Sequence, residues 1–485
     1  MKKTLILFLL FNIQEVVFSQ SITISPGTDE NPAMISTSSD YQRGYKIPTM
    51  GSIERLNILK PIDGLTVFDQ DRKSLCTYYT STWYCASKDV ITDRKPQTVF
   101  ASDSTADDGF GRAVSLDAPN NRAAIGALNA ENGTNTNQGA VYLYSYSTSS
   151  KTWSQTQKLV AADGQTNDNF GKSVILKGDY LIVGATGCNS NTGAVYVFKR
   201  ISGVWTQEAK IIPSDASTGD LFGSSIDFLL NIAVTPNVPM VIASSPGDDL
   251  VSPSVSAIGS FYIYTYNSTT FWTLFQKIME SGGQAGEGSS MVVRFKDATT
   301  IITGKREFDI SPNIQNGKLQ MYRNTSTSFA LVQTINGSHL NYLGGNIEIS
   351  GNLILAGGQS DEPRIYVYNT TTNLLSTSYN LIVPTLTNGV YFGATFAIDD
   401  DKVLVLDTYY KFGEFFKITT TATSSSEASY QSIGLPEFRT HLYQNARITA
   451  IDNGFYLIGE ADDLCFSSSC KRAGRVIFGE YNHSF

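Results

Sequence analysis

Most of the chain is a repeat, and this repetition limits the possible folds more than any other feature of the sequence. Each copy begins at a Phe-Gly pair or a degenerate equivalent and contains four short apolar patterns separated by turn signals; residues 163–211 give the clearest copy. The Phe-Gly pairs are Phe110-Gly111, Phe170-Gly171, Phe222-Gly223 and Phe392-Gly393, and degenerate copies begin at Glu287, Leu343 and Asn445. These copies, each of roughly 50 to 65 residues, predict a propeller or a solenoid of repeated β units.

The third pattern of each copy favours a propeller. In the better copies, at residues 139–144, 193–198 and 259–264, both alternating faces of this pattern are apolar or aromatic. A strand that is buried on both faces lies between two packed sheets, which is the situation of every blade in a β-propeller.

The two ends of the repeat region predict a closed ring. Residues 97–103 match residues 157–163, the last strand of a copy, although they precede the first Phe-Gly pair, and the last copy stops after its third strand at Phe478. We expect strand 97–102 to complete the last sheet beside residues 475–481, because this leaves no long edge exposed. The predicted fold is therefore an all-β, seven-bladed β-propeller closed by an N-terminal strand.

The sequence predicts three segments. Residues 1–19 have the form of a secretory signal peptide, since Lys2 and Lys3 precede an apolar run at residues 5–11. The sequence pattern of residues 20–95 differs from that of the repeats and predicts a small β-containing module with a linker. Residues 96–485 are expected to form the propeller. No later apolar run reaches the roughly 20 residues that a membrane-spanning helix needs. We expect a secreted protein, either extracellular or on the cell surface.

Charge and cysteine usage fit an exterior protein. The net charge of -8 makes nucleic acid a poor partner, because binding phosphates requires clustered Lys and Arg. Cys76 with Cys85 and Cys465 with Cys470 are close pairs that could form disulfides in an oxidising compartment. Cys188 belongs to neither pair, and we interpret it as a small, partly buried residue.

Phe170-Gly171 and Gly184-Ala185 resemble the two elements that define the FG-GAP repeat propellers, a family that includes the head of integrin alpha subunits. The resemblance covers residues 97–485 and is strongest in the first three copies. It implies a propeller used in cell adhesion. In physical terms, Phe can pack between neighbouring blades, and Gly allows a backbone approach that is too close for a Cβ atom.

The family also implies calcium in Asp-rich loops between the first and second strands of some blades. Here that connection is tight: Gly178-Asp179 has the form of a two-residue hairpin turn. Calcium takes about 6 to 8 oxygen ligands, which a two-residue turn does not provide. Residues 399–401 are the one acidic cluster at such a turn, and we interpret them as a solvated tip. The chain thus resembles a metal-free variety of the repeat, and no metal or cofactor is predicted.

A second acidic pattern occurs before three of the Phe-Gly pairs. The members are Asp103 and Asp108, Asp163 and Asp168, and Asp215 and Asp220. They could contact a ligand on one face of the ring, or their oxygens could accept backbone N–H bonds and shape the turn. We favour the structural role, because Asp does this routinely in loops.

Loops between the second and third strands are the predicted place of function, since variable loops on a rigid frame usually carry binding. Asp248, Asp249, Asp462 and Asp463 are acids in these loops that could meet a partner, or could only keep the rim soluble. No nucleophile elbow, metal-ligand spacing or phosphate loop occurs, so no catalytic residue is predicted.

The sequence favours a monomeric, non-catalytic binding or adhesion protein for an extracellular protein or glycan. Two other classes stay open. One is a secreted carbohydrate-active enzyme that uses acids of the ring, for which two carboxylates suffice. The other is a purely structural surface component.

Overall fold

The computed structural model describes two compact units of the chain, which divide between residues 90 and 91. The described residues are 49–50, 58, 65–69, 74–79, 82–85, 97–105, 107–231, 238–251, 254–280, 285–286, 288, 291–306, 309–311, 314–325, 327–337, 343–357, 364–376, 379–380, 392–407, 412–419, 429–434, 446–452, 455–460 and 474–480. Within them, no helix has the length and apolar character needed to cross a membrane. The predicted signal peptide, residues 1–19, lies outside this set.

The first unit contains one small sheet. Its strands are β1 (Thr49–Met50), β2 (Thr66–Asp69), β3 (Ser74–Tyr79) and β4 (Thr82–Cys85). Strand β1 is parallel to β2, and the other neighbours are antiparallel. The register places Cys76 directly opposite Cys85, as the predicted bridge requires. Cys465 and Cys470 lie outside the described residues.

The second unit is all-β and repeats a four-stranded antiparallel sheet. Strand β5 (Gln97–Val99) precedes the sheets, which we number in chain order. Sheet 1 has β6 (Phe110–Asp117), β7 (Arg122–Ala127), β8 (Ala140–Ser147) and β9 (Thr152–Leu159); sheet 2 has β10 (Phe170–Lys177), β11 (Tyr180–Ala185), β12 (Ala194–Ile201) and β13 (Val204–Ile211). A short 3-10 turn at Ala118–Asn120 and a helical turn at Cys188–Asn191 are the helical pieces of this region.

Sheets 3 and 4 each carry an extra two-stranded ribbon in the loop between their second and third strands. Sheet 3 has β14 (Ile226–Asn231), β15 (Val238–Ser245), the ribbon β16 (Leu250–Val251) and β17 (Ser254–Val255), then β18 (Ser260–Asn267) and β19 (Phe271–Met279). Sheet 4 has β20 (Met291–Asp297), β21 (Thr300–Lys305), the ribbon β22 (Asp309–Ser311) and β23 (Ile314–Gln315), then β24 (Lys318–Asn324) and β25 (Phe329–Asn336).

The last sheets continue the pattern. Sheet 5 has β26 (Asn346–Ser350), β27 (Leu353–Gly357), β28 (Arg364–Asn369), β29 (Leu374–Leu375) and β30 (Tyr379–Asn380); sheet 6 has β31 (Phe392–Asp399), β32 (Lys402–Asp407), β33 (Phe412–Thr419) and β34 (Ser429–Gly434); sheet 7 has β35 (Ala446–Asp452), β36 (Phe455–Glu460), β37 (Arg475–Glu480) and β5.

The apolar patterns predicted from the sequence form the core of each sheet. In β12 the first five residues are all buried, as expected for a strand with a neighbouring sheet on each side. The fourth strand, β13, is exposed or partly exposed at all positions except Trp205 and Ile211, because it lies at the edge of its sheet. The turn between β10 and β11 is the predicted two-residue hairpin, since Lys177 pairs with Tyr180.

The Phe-Gly and Gly-Ala elements join neighbouring sheets as predicted. Phe170 is fully buried in a cluster shared by sheets 1 and 2, with its ring 5.4 Å from that of Tyr196. A Cβ atom on Gly184 would lie 2.1 Å from the carbonyl oxygen of Gly223 in the next sheet. Gly126 stands in the same relation to Gly171, at 2.2 Å. In sheet 6 the backbone shows the same register shift after Phe392, and the side chains of residues 392–394 are outside the described set.

Glutamines on the fourth strands also join neighbouring sheets. The side chain of Gln157 in β9 accepts a hydrogen bond from the backbone N–H of Trp205 and donates one to its carbonyl oxygen. The same paired contact joins Gln276 to Phe329 and Gln333 to Leu375. Gln97 in β5 makes it with Trp153 of sheet 1, at 2.7 and 2.8 Å. Strand β5 therefore makes the contact that a fourth strand makes elsewhere.

Strand β5 pairs with β37, as the sequence predicts. Val99 lies opposite Val476, and the antiparallel register continues to Gln97 and Phe478. The ring of Phe478 stacks on that of Trp153 in sheet 1, with centroids 4.5 Å apart. Sheet 7 thus shares a hydrophobic cluster with sheet 1.

Candidate functional site

The second Asp of each acidic pair shapes the turn before the Phe-Gly element. In each case a carboxylate oxygen accepts the backbone N–H of the residue three positions earlier. The contacts join Asp108 to Thr105 (2.6 Å), Asp168 to Gln165 (2.8 Å) and Asp220 to Ser217 (2.7 Å). The structural interpretation of these residues is confirmed.

The first Asp of each pair binds a Tyr and a Lys of the same sheet. In sheet 2, Asp163 accepts hydrogen bonds from the hydroxyl of Tyr196 at 3.0 Å and from Nζ of Lys210 at 2.6 Å, and the ammonium lies 5.2 Å from the Tyr ring centroid. The equivalent sets are Asp103, Tyr142 and Lys158 in sheet 1 and Asp215, Tyr262 and Lys277 in sheet 3. Three copies of one arrangement indicate a structural motif.

These sets predict a loss of stability in acid. Burial alone would raise the pKa of Asp163, but hydrogen bonds from Lys210 and Tyr196 outweigh it and hold the pKa below its ordinary value of 3.8. A carboxyl whose folded pKa is depressed stabilises the fold above its unfolded pKa, and this contribution disappears as the pH falls through the folded pKa. Because Asp163 is half exposed, we expect well under about 1 kcal/mol from it.

The measurement is the free energy of unfolding of the Asp163→Asn variant and the unchanged protein between pH 6 and pH 3. We expect the variant to be less stable at pH 6 and the difference to shrink toward pH 3. A difference that stays constant with pH would contradict the ion-pair interpretation.

Asp248 is not the exposed acid that the sequence led us to expect. It is 5% exposed and accepts hydrogen bonds from Oγ of Ser260 at 2.5 Å and from the hydroxyl of Tyr262 at 3.1 Å. Nζ of Lys277 lies 2.7 Å from it and also 2.7 Å from Asp215, so one ammonium holds two carboxylates. The prediction was wrong because strands β18 and β19 place these groups beneath the loop, which the position in the sequence does not reveal.

Asp249 is exposed, as predicted, at the base of the ribbon β16–β17. Its Oδ1 accepts the backbone N–H of Ala257 at 2.7 Å, so this carboxylate also closes its own loop. Asp462 and Asp463 lie outside the described residues. Among the residues that are described, no three His, Cys, Asp or Glu side chains lie close enough to hold a metal ion.

The loops between the second and third strands are held against the next sheet at their C-terminal ends. The backbone N–H groups of Asn169 and Phe170 donate to the carbonyl oxygens of Asn137 and Gln138, at 3.1 and 2.9 Å. The same main-chain contact links Phe222 to Thr192. In these two loops the C-terminal end is therefore held by main-chain hydrogen bonds, and the middle of the loop is the part available for a partner.

A cavity of about 770 Å³ lies between the first strands of the sheets. Strands β6, β10, β14, β20, β26, β31 and β35 all contribute to its lining. Polar side chains of these strands accept backbone N–H groups of the neighbouring sheet: Ser115 accepts that of Leu176 in β10 at 2.9 Å, and Asp452 accepts that of Ala118, directly after β6, at 2.7 Å.

Sheets 3, 4 and 5 contribute a set of charged side chains to one wall of this cavity, which we call the charged wall. Arg294 donates through Nη2 to Oε1 of Glu348 at 3.2 Å and through Nη1 to Oγ of Ser225 at 3.3 Å. Asp227 lies beside them and accepts the N–H groups of Phe295 and Phe228. Burial raises the pKa of Asp227 and of Glu348, and Arg294 opposes this shift in both. The set holds two carboxyl groups and one guanidinium next to open space.

Sequence reasoning missed this set, although a signal was present. Asp227 and Glu348 each lie five residues after the start of their copies, Phe222 and Leu343. The register places Arg294 of sheet 4 at this same position, opposite Ile302, and the other copies carry Ser115, Ile175, Ala397 and Ala450. An acid in place of small or apolar residues marks a position with a special role.

A second buried polar cluster lies between sheets 3 and 4. Lys305 and Lys318 are 1% and 2% exposed, and both reach Oε2 of Glu280, at 3.2 and 2.6 Å. Nε2 of Gln320 donates to the other oxygen of Glu280 at 3.3 Å, and Lys305 also donates to the carbonyl oxygen of Ile258 at 3.0 Å.

The FG-GAP repeat family model matches residues 94–144, 153–198 and 205–264. No curated protein matches the chain. Solved structures with similar folds include a periplasmic gluconolactonase of Pseudomonas aeruginosa (12% identity, TM-score 0.43, 74% of this chain and 92% of that one) and Sqt1 of Saccharomyces cerevisiae (11%, 0.42, 79% and 98%). A functionally unknown protein from Desulfotomaculum acetoxidans is similar at 10% identity, with a TM-score of 0.39 over 76% and 98% of the two chains. Residues 94–264 of the chain therefore contain three FG-GAP repeats.

Proposed function

We propose that the repeat unit is a closed, seven-bladed β-propeller that serves as a non-catalytic binding or adhesion protein outside the cytoplasm. Two contacts support closure of the ring. Strand β5 pairs with β37, and Gln97 of β5 makes with Trp153 the same paired contact that Gln157 makes with Trp205. The interface between sheets 7 and 1 is then of the same kind as the interfaces between the other neighbouring sheets.

The observation that carries the binding proposal is that the sheets are alike from copy to copy whereas the loops between their strands differ. The same Asp, Tyr and Lys set recurs in sheets 1 to 3, while the loops above it differ from copy to copy: sheet 2 has the short turn Cys188–Asn191, and sheet 3 has the ribbon β16–β17. A rigid frame with variable loops is the usual arrangement of a binding surface. The partner that this surface suits is an extracellular protein or glycan, which agrees with the predicted signal peptide and the net charge of -8.

The acids near the loops of sheets 2 and 3 are paired with lysines, and this supports binding rather than hydrolysis. Asp163 and Asp215 are paired with Lys210 and Lys277, and Asp248 shares Lys277. A glycosidase needs one carboxyl that can donate a proton and another that attacks or activates water. Acids that are held by an ammonium and a tyrosine hydroxyl are poorly placed for either role.

One observation favours an enzyme as the second candidate. Asp227 and Glu348 line the same cavity, and burial raises the pKa of both, which is a feature of catalytic acids. Release of reducing sugar from a glycan panel, lost in both the Asp227→Asn and Glu348→Gln variants, would establish this alternative.

The test of the binding proposal is a glycan-array and cell-surface binding screen with the mature chain and two variants. In one variant residues 250–255 are replaced by a two-residue Asn-Gly turn, and in the other Asp249 is changed to Ala. We expect saturable binding without turnover and a loss of at least about tenfold in affinity on removal of the ribbon.

Asp179→Ala is the matched control. Asp179 is an exposed acid at the β10–β11 turn, in the opposite connection of its sheet, where it lies near Arg122 and Arg200. Its change should leave binding intact. Absence of binding by the unchanged protein would leave the purely structural role as the better account, and equal binding by the ribbon variant would exclude this loop.

A further inference from the structure

The central cavity differs between its walls. Sheets 3, 4 and 5 contribute the charged set Asp227, Arg294 and Glu348, whereas sheets 6 and 7 contribute the small residues Ala397 and Ala450 at the position equivalent to Asp227 and Glu348. The lining also holds four other charged residues, Asp117, Lys172, Lys177 and Asp452. Charged groups that can form hydrogen bonds, together with the methyl groups of Ala397 and Ala450, are the chemistry of a site for a small amphipathic molecule. The volume of 770 Å³ lies within the range of about 300 to 1,000 Å³ that is usual for small-ligand sites.

The charged wall keeps hydrogen-bonding capacity that the protein does not use. Nη1 of Arg294 donates to Ser225 and to the carbonyl oxygen of Val293, and Nη2 donates one of its two hydrogens to Oε1 of Glu348. Within the described part of the chain, no donor reaches Oε2 of Glu348. The two side chains are 21% and 30% exposed. A donor and an acceptor therefore lie side by side and face the cavity.

The charge balance selects the class of ligand. Arg294 faces two acids, Glu348 and Asp227, and the lining as a whole carries four carboxyl groups (these two with Asp117 and Asp452) against three cations (Arg294 with Lys172 and Lys177). A ligand with its own carboxylate or phosphate would add to this excess of negative charge in a partly desolvated space. A neutral hydroxyl group adds no charge, and it can accept from Arg294 while it donates to Glu348. Adjacent hydroxyls on one molecule match the adjacent donor and acceptor.

We propose that this cavity binds a small, neutral, polyhydroxylated molecule, a mono- or disaccharide, through Arg294 and Glu348. Ala397 and Ala450 leave room for the ring of the sugar and contact its apolar face. This site is separate from the loop surface, so the proposal holds whether or not the loops bind a partner.

The experiment is titration calorimetry of the full mature chain with neutral hexoses and disaccharides, and with free amino acids and sugar phosphates as charged probes. We expect at least one neutral sugar to bind with one-to-one stoichiometry. The Glu348→Ala variant should lose at least about tenfold in affinity, because it removes the charged acceptor of a ligand hydrogen bond.

A second variant distinguishes a loss of binding from a loss of folding. Ala450→Phe fills the cavity and leaves the charged wall unchanged, and it should also weaken binding at least tenfold. Glu208→Ala is the matched control, because Glu208 lies on β13 beside Lys199 and Trp272, away from the cavity lining, and its change should have no effect. Failure of every neutral sugar to bind, stronger binding of a charged probe, or unchanged binding in both cavity variants would overturn the proposal.

Discussion

Replacing Gly184 with Ala is expected to remove more than about 3 kcal/mol from the free energy of unfolding. The new Cβ atom would lie 2.1 Å from the carbonyl oxygen of Gly223, and the obstacle is backbone of the next sheet. Flexible side chains can move away from an added methyl group, but two packed sheets can separate only by losing contacts along their whole interface. Urea unfolding followed by tryptophan fluorescence gives the change.

Gly178→Ala is the matched control for this prediction. Gly178 lies in the β10–β11 turn with φ +60°, and a Cβ atom there would meet nothing within 4 Å. We expect a loss of about 1 kcal/mol, which is the cost of the left-handed conformation for Ala. Equal losses at Gly184 and Gly178 would show that close approach of the sheets is not what requires Gly184.

The Glu280→Gln variant is expected to lose about 3 kcal/mol, since it removes the negative charge that Lys305 and Lys318 share in the interior. These lysines are directly opposite each other in β21 and β24. Like charges that face each other across two strands repel, and a carboxylate between them offsets this. The shape of the side chain is kept, so the loss reports on charge rather than on packing.

The thermal midpoint and the urea midpoint measure the effect, with Glu131→Gln as the control. Glu131 is exposed, and its change should alter stability by less than about 0.5 kcal/mol. If Glu280→Gln were as mild as the control, the two lysines would have to be balanced without this carboxylate.

The repeated elements could be predicted from the sequence because each has the same physical task in every copy. Phe170, Gly171 and Gly184 recur because one backbone geometry between sheets admits only an aromatic wedge and a residue without a side chain. The pairing of β5 with β37 followed from the same logic, since a fourth-strand pattern before the first copy is explained by a missing fourth strand in the last.

The polar clusters could not be predicted, because they depend on which side chains meet across sheets. Asp248 has the appearance of a loop acid, and only the fold shows Lys277 beneath it. Lys305 and Lys318 occupy the cross-strand position that Ala185 and Ala194 hold in sheet 2, and a lysine at a strand end is ordinarily expected at the surface. Comparison of copies position by position would have marked these departures.

The pairing of β5 with β37 also determines the order in which the molecule can be completed during synthesis. Val99 leaves the ribosome early, and its partner Val476 emerges only when nearly all of the repeat region has been made. Joining positions so far apart costs about 1.6 kcal/mol more in loop entropy than joining positions one repeat apart. Sheet 7 is therefore the last to form, and a chain truncated before β37 would present an unpaired strand to other chains, which is a route to aggregation.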